Sequence, residues 1–140
     1  MLTGEFRHSL DAKNRIFMPA KLREELGETF IIARDIREKC LKVYSLEGWT
    51  AYTAPIKEKP RQLAEQIMRL LHRSAAQVTP DSQGRVVLPP MLIEYAEIEK
   101  NAVVVGCEEY AEIWGEKNYQ IMLDQVDDEA LRQALEAVGL

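Results

Sequence analysis

The nine residues DAKNRIFMP, at 11–19, return 70 positions later as DSQGRVVLP, at 81–89. Both copies hold an Asp, an Arg four positions on, and a Pro four positions after that, with apolar residues between the Arg and the Pro. The shared residues are those that shape a turn and start a helix, so we expect the same local structure to be built twice.

The repeat extends well beyond this phrase. When the sequence is shifted by 70 positions against itself, the aligned pairs include Leu22 with Leu92, Val43 with Ile113, Tyr44 with Trp114, and Trp49 with Tyr119. We predict two tandem repeats, residues 1–70 and 71–140. Each is expected to need the other repeat or a partner chain to bury its apolar face.

The phrase predicts two short strands joined by a tight turn, because the apolar-alternating stretches FRHSL and RIFMP flank the polar tetrad DAKN. An Asp at the start of such a turn accepts hydrogen bonds from amides a few residues on. Asn14 and Gly84 stand where a left-handed backbone is expected, since both residue types tolerate a positive φ. The predicted turn-shaping residues are Asp11, Asn14, Asp81 and Gly84.

The remaining elements also come in pairs. Pro19 is expected to start a short helix, PAKLREEL, which Gly27 ends, and PPMLIEYA repeats this pattern. Two apolar strands follow in each repeat: TFIIAR and CLKVYS, then AVVVGC and YAEIWG. Each repeat closes with an amphipathic helix, RQLAEQIMRLLHRS or DDEALRQALEAVG, whose apolar stripe is interpreted as a core or subunit contact.

Composition places the chain among cytoplasmic globular proteins. Its 140 residues are 46% apolar, with no run long enough to span a membrane and no basic-then-apolar leader. Cys40 and Cys107 have no metal-ligand spacing and are predicted to be buried free thiols. No nucleophile pairs with either histidine and no phosphate-binding loop is present, so we expect no catalytic, metal or cofactor site. The acidic residues Glu108, Glu109 and Glu112 are interpreted as a solvated edge.

Charge is distributed unevenly along the chain. The net charge is -5, but residues 1–70 hold 13 basic and 10 acidic side chains, whereas residues 71–140 hold 5 and 13. Such asymmetry is typical either of a face that binds a polyanion, backed by an acidic one, or simply of solvated surface.

Five of the basic residues crowd the first repeat's turn and its flanks: Arg7, Lys13, Arg15, Lys21 and Arg23. Lys and Arg neutralise phosphates, and an Arg on a rigid turn can reach a guanine edge. The second turn has Arg85 but Gln83 in place of the lysine, so we expect the first turn to carry more of a nucleic-acid contact. A positive charge at Lys13 or Arg15 has no evident structural purpose. Alternatively, each arginine pairs with the Asp of its own turn, and both interpretations can hold together.

The doubled Asp-x-x-Gly/Asn-Arg-x-x-x-Pro phrase, the Leu-Arg after the first copy, the Tyr-Ala after the second and the EIW at 112–114 resemble the MraZ family. Members of that family are bacterial regulators with two tandem AbrB-like modules. The resemblance covers nearly the whole chain and implies an α+β, β-rich fold. Two interleaved repeats would form a pseudo-two-fold, swapped-hairpin β-barrel with helices outside. Asn14 departs from the pattern, which usually has Gly there, and we expect the turn to survive.

The resemblance also implies a function. It predicts a sequence-specific, nucleoid-associated transcriptional repressor of the division and cell-wall gene cluster, including its own promoter. The partners implied are direct repeats of double-stranded DNA and further copies of the chain in a ring, an octamer or a dodecamer. The DNA contacts would centre on Lys13 and Arg15, with Arg85 as the counterpart in the second repeat. Because the sequence pI is about 5.2, a single subunit should bind DNA poorly, and a ring would supply avidity.

One alternative remains open. The chain could form a structural or protein-interaction ring with an antitoxin-like role and no specific DNA recognition. Toxin-neutralising proteins are expected to carry a disordered, apolar-spotted tail, whereas this sequence ends in a compact amphipathic helix. Steep salt dependence would favour DNA binding, and salt-insensitive association with a protein would favour the alternative.

Overall fold

Residues 1–140 are all described by a computed structural model, which is α+β and rich in β-strand, as expected. No helix combines the length and hydropathy that crossing a bilayer requires. The elements in chain order are β1 (Glu5–Ser9), β2 (Arg15–Phe17), α1 (Ala20–Leu26), β3 (Phe30–Arg34), β4 (Leu41–Ser45), α2 (Leu46–Thr53), a 3₁₀ helix (Ala54–Glu58), α3 (Arg61–His72), β5 (Ala76–Val78), β6 (Arg85–Val87), α4 (Pro90–Tyr95), β7 (Asn101–Gly106), β8 (Ala111–Gly115), α5 (Glu116–Gln125) and α6 (Asp128–Ala137).

The strands form a six-stranded antiparallel sheet, in the order β1-β7-β8-β4-β3-β5, and a two-stranded ladder of β2 and β6. The sheet is symmetric about its centre. β1, β7 and β8 form one half, and their counterparts in the other repeat, β5, β3 and β4, occupy the equivalent positions in the other half. At its centre Lys42 lies opposite Glu112, and at the centre of the ladder Ile16 lies opposite Val86. Both pairs are 70 positions apart, so one approximate two-fold axis relates the two repeats.

The N-terminal strand of each repeat pairs with the other repeat. β1 pairs with β7, and β5 pairs with β3. The expected hairpin between FRHSL and RIFMP is therefore wrong, because these strands flank the turn without pairing to each other. The reason is that an alternating pattern specifies a strand and its buried face but does not specify the partner, and here the partners lie across the axis. This exchange is the swapped arrangement that the resemblance implies.

Both repeats contribute to one hydrophobic core of 18 buried residues. Ile16 and Met18 from the first phrase are fully buried, as is Leu88, and Val86 is nearly so. Since burial of a large aliphatic side chain contributes about 1.5–3 kcal/mol, each repeat is stabilised by side chains that the other repeat buries.

The short helices begin and end near the predicted positions. Pro19 immediately precedes α1 instead of being its first residue, and Gly27 ends the helix with a φ of 89°.

α6 begins after Asp127, whose carboxylate accepts a hydrogen bond of 2.8 Å from the amide of Ala130. α3 and α6 contain no buried residue, so their apolar stripes are not core contacts within this chain.

The cysteines are free, with Cys40 buried and Cys107 partly buried. Burial raises the pKa of the Cys107 thiol to about 11 and raises that of Cys40 further. Both thiols are therefore protonated and unreactive at neutral pH.

The solvated-edge interpretation is wrong for Glu112. This residue lies on β8, which has neighbours on both sides, and its carboxylate accepts a hydrogen bond of 3.1 Å from the indole of Trp114. Glu108 and Glu109 are exposed, in the connection between β7 and β8.

The shared core makes a prediction about stability. Ile16→Ala should lower the free energy of unfolding by about 2–5 kcal/mol, because it opens a cavity where β2 meets β6. Val87→Ala on the same ladder is the matched control: Val87 is 56% exposed, and its truncation should cost less than about 0.5 kcal/mol. Urea denaturation at one fixed protein concentration measures both. Equal losses would contradict the assignment of the core.

Candidate nucleic-acid interface

The first turn is organised by the carboxylate of Asp11. Its Oδ1 accepts hydrogen bonds of 2.9 Å from the amides of both Lys13 and Arg15. The main chain closes the same loop, with the Asn14 amide donating to the Asp11 carbonyl at 3.0 Å and with Asn14 at a φ of 58°. An Asp at the start and a residue that tolerates the left-handed region are thus what this backbone requires.

The second turn has the same construction. Asp81 Oδ1 accepts hydrogen bonds of 2.9 Å from the amides of Gln83 and Arg85. The Gly84 amide donates to the Asp81 carbonyl at 2.9 Å, and Gly84 has a φ of 80°. The amide of Arg85, followed by the other donors, holds the pKa of the Asp81 carboxyl below its ordinary value of 3.8. The amide of Arg15 does the same for Asp11.

Each turn also binds its own arginine. Arg15 Nε donates to Asp11 Oδ2 at 2.6 Å, and Arg85 Nε donates to Asp81 Oδ2 at 2.9 Å. The expectation that Arg15 has no structural purpose is therefore wrong, because its guanidinium braces the turn. Both side chains remain about a third exposed, at 27% and 30%, so their outer faces stay open to solvent. Lys13 is exposed, and its ammonium makes no ion pair within the chain.

The two turns lie side by side. The amide of Met18 donates to the Gly84 carbonyl at 2.9 Å, and the amide of Leu88 donates to the Asn14 carbonyl at 2.8 Å. Each turn is therefore joined to the strand of the other repeat. Across the junction, Arg85 Nη1 is 4.0 Å from Asp11 Oδ2. The ladder thus brings three cations onto one surface, which we call the paired-turn surface and which comprises residues 11–15 and 81–85.

Two of the other predicted basic residues lie outside the turns. Arg7, on β1, is 3.5 Å from Glu5 and 3.9 Å from Glu116, and its guanidinium lies over the ring of Tyr119. Its charge is therefore partly neutralised within the chain. Lys21 is exposed in the first turn of α1 and makes no ion pair.

Arg23 has an unexpected position. It lies on α1 of the first repeat, yet its guanidinium packs against Gly84 of the second turn. Its Nε donates to the Met18 carbonyl at 2.8 Å. No spacing in the sequence signals this contact, because residues 23 and 84 meet only through the pairing of β2 with β6.

One group of acidic and thiol side chains resembles a metal site, but its two buried members, Asp35 and Cys40, are bound by other contacts. The ligand atoms of Asp35, Glu38 and Cys40 lie within 4.8 Å of one another. Cys40 is a protonated thiol that donates to Asp35 at 3.8 Å, and the ammonium of Lys42 is 4.0 Å from the same carboxylate. This group stabilises the connection between β3 and β4.

Comparisons with known proteins agree on one family. The family model described as "MraZ protein, putative antitoxin-like" matches residues 1–72 and again residues 71–138. The match therefore covers nearly the whole chain, once in each repeat.

Relatives bear the same family name. The chain is 38% identical over 143 residues to a protein named Transcriptional regulator MraZ from Clostridium acetobutylicum, with the whole of both chains covered. Proteins of that name from Lactiplantibacillus plantarum and Carboxydothermus hydrogenoformans are 41% and 42% identical, covering 86% and 84% of this chain and 86% and 82% of their own. These relatives are named as regulators and not as enzymes. The chain belongs to the MraZ family.

The turn carboxylates predict a pH dependence of stability. Since folding lowers the pKa of Asp11 and Asp81, their contribution is complete well above 3.8 and is lost as the pH falls through the lowered values. In Asp11→Asn and Asp81→Asn, the free energy of unfolding should fall less steeply than in the wild type between about pH 4 and about pH 2.

Urea denaturation across that range tests this expectation. Glu24→Gln is a suitable control, because Glu24 is an exposed carboxyl on α1 that makes no ion pair. Variants with an unchanged slope would show that the turn carboxylates do not contribute to the acid sensitivity.

Proposed function

We propose that this chain is a sequence-specific DNA-binding transcriptional regulator that contacts DNA through the paired-turn surface. The observation that carries the proposal is that two arginines, held by the carboxylates of their own turns, and one unpaired lysine share one surface. The names of the relatives, Transcriptional regulator MraZ, support the regulatory role. In the finer form of the proposal the chain represses the division and cell-wall gene cluster, including its own promoter, and therefore acts at the nucleoid.

The geometry suits DNA because the cations are preorganised. In Arg15 and Arg85, the Nε donor is taken by an aspartate, which restricts the long side chain and leaves the Nη donors for a base edge or a phosphate. Less conformational entropy is then lost on binding. Lys13, free of intramolecular partners, is suited to a phosphate and to counterion release.

The basic residues flanking the turns have secondary roles in this proposal. Lys21 adds an exposed charge on α1, and the half-buried Arg23 adds one beside the second turn. Arg7 contributes least, since Glu5 and Glu116 already neutralise it in part. We expect mutations of these residues to affect affinity more than sequence preference, because phosphate contacts carry no base information.

A single chain with a net charge of -5 should bind DNA weakly, and several copies that bind the same DNA would compensate for this weakness. Two faces are available for self-association. Leu131 on α6 and Leu70 on α3 are each 50% exposed, and Val138 is 72% exposed. Such stripes are normally covered in a functional assembly.

The charges of the two faces are complementary. Residues 124–140 hold five acidic side chains and one basic, whereas residues 57–73 hold five basic and two acidic. Contact between α6 of one copy and α3 of the next is heterologous, and a heterologous contact that closes generates a ring. A ring, of eight or twelve copies in our proposal, presents successive paired-turn surfaces to direct repeats, so that weak contacts add up to avidity.

The DNA-binding proposal predicts the effect of removing single charges. Lys13→Ala and Arg15→Ala should each weaken binding to the DNA upstream of the chain's own gene, by about fivefold or more for the lysine and more strongly for the arginine. Arg37→Ala, which removes an exposed arginine from the connection between β3 and β4, is the control and should bind nearly as the wild type does.

Titration at several salt concentrations measures affinity and its salt dependence together. Each effective variant should also show a shallower salt slope, because fewer counterions are released. Equal affinity of all three variants and the wild type would contradict the proposal. Salt-insensitive binding of a protein partner in place of DNA would favour an antitoxin-like role, which the family description mentions.

The self-association proposal makes a separate prediction. Leu131→Asp should reduce the molecular mass of the particle in light scattering and weaken DNA binding through lost avidity, because it places a charge in the apolar stripe. The fold should persist, since α6 buries no residue within the chain. Gln133→Asp, on the same helix outside the stripe, is the control. An unchanged mass for Leu131→Asp would remove α6 from the interface.

A further inference from the structure

The second turn lacks a lysine, and the structure places another cation beside it. Gln83 stands where the first turn has Lys13. Arg23 reaches this turn from the first repeat, held by the 2.8 Å hydrogen bond from its Nε to the Met18 carbonyl, with its guanidinium 5.9 Å from the centre of the Phe17 ring. The Nη atoms make no hydrogen bond or ion pair within the chain, so their donors remain available.

The exchange is not reciprocal. The counterpart of Arg23 in the second repeat is Ile93, an apolar residue packed against the main core, so no helix of the second repeat supplies a cation to the first turn, whose only cation from that repeat is Arg85, at 4.0 Å from Asp11. Each turn is nevertheless accompanied by one aspartate and two cations. In the first they are Lys13 and Arg15, and in the second Arg85 and the Arg23 of the other repeat.

This contact also accounts for a difference between the two turns. Both require a left-handed residue, and the first uses Asn14 at a φ of 58°. At Gly84 an added Cβ would lie 3.0 Å from Cζ, Nε and Nη2 of Arg23, closer than carbon atoms normally approach. Asparagine would thus suit the second turn's backbone, but the guanidinium would have to move by a few tenths of an ångström to make room for it, and glycine there lets Arg23 lie directly against the turn.

We propose that Arg23 is the phosphate-binding cation of the second turn, supplied across the two-fold axis in place of the missing lysine. This inference rests on the proposed DNA-binding function. Three carboxylates line the same cleft as Arg23, those of Glu24, Glu28 and Asp81, but none of them forms an ion pair with it, and that of Asp81 is already bound by Arg85 and by two amides. A guanidinium with free Nη donors and a fixed stem matches a phosphate oxygen pair. The two turns therefore contribute comparably to affinity, contrary to the expectation from the sequence that the first dominates.

The test compares variants of the whole protein on the duplex upstream of its own gene. Arg23→Gln removes the charge but keeps a donor for the Met18 carbonyl, and it should lower affinity about as much as Lys13→Ala, roughly fivefold, with a shallower salt slope. Adding Gln83→Lys to Arg23→Gln should restore most of the affinity, because it supplies the missing charge from the turn itself.

A second pair of variants tests the geometry. Gly84→Asn should weaken binding, because it shifts the Arg23 guanidinium, and it should have little further effect when combined with Arg23→Gln, because both changes act through that side chain. Gly27→Asn is the matched substitution at a left-handed glycine outside the paired-turn surface, where an added Cβ meets no atom within 4 Å, and it should leave affinity nearly unchanged. Circular dichroism and light scattering establish that each variant is folded and assembled as the wild type is.

The outcomes separate the inference from the function on which it rests. If Arg15→Ala loses binding but Arg23→Gln binds as the wild type does, the role of Arg23 is overturned while the DNA-binding proposal stands. The same holds if Arg23→Gln weakens binding but Gln83→Lys restores none of it, since Arg23 would then act only through the fold. If neither Arg15→Ala nor Arg23→Gln changes the binding of DNA, both proposals fail.

Discussion

The pairing of β2 with β6 is the interaction on which the rest of the structure depends. These strands are only three residues each, yet Ile16 and Val86 meet there on the two-fold axis with almost no exposed surface. Because the strands emerge directly from the two turns, the same ladder that closes the core also sets the turns beside each other. Burial of apolar surface thus determines where the charged groups lie.

The Asp–Arg pairs fix the two guanidinium groups in place on the surface of this scaffold. An aspartate that accepts two amides would by itself complete each turn, and the arginine adds a charge-assisted hydrogen bond. The contribution of such a partly exposed pair to stability is small. Its larger consequence is for orientation, since it holds a guanidinium at the tip of a rigid element. The pairing of Arg15 with the Asp of its own turn is therefore confirmed, and it leaves the outer face of the guanidinium open for the proposed contact with DNA.

Much of this structure could be predicted from the sequence because the chain contains two repeats of the same pattern. The 70-residue offset locates the strands, and the Pro and Gly positions locate the short helices to within a residue. The pairing partner of β1 could not be found from FRHSL, because alternation specifies a buried face and leaves the neighbouring strand open. For the same reason the sequence predicts an edge position for Glu112, although this residue lies at the centre of the sheet. The Arg23 contact with Gly84 depends on that pairing, so it became visible only in three dimensions.

The central claim is that the turns of both repeats form one surface that contacts DNA. Its most direct test places a photo-crosslinking amino acid at Ala12 or Ser82, the exposed second residue of each turn, and irradiates the complex with upstream DNA. Glu129 on α6 is the control position. We predict crosslinks to DNA from both turns and none from α6. Crosslinks from α6 alone, or from neither turn in a complex that is otherwise bound, would contradict the claim.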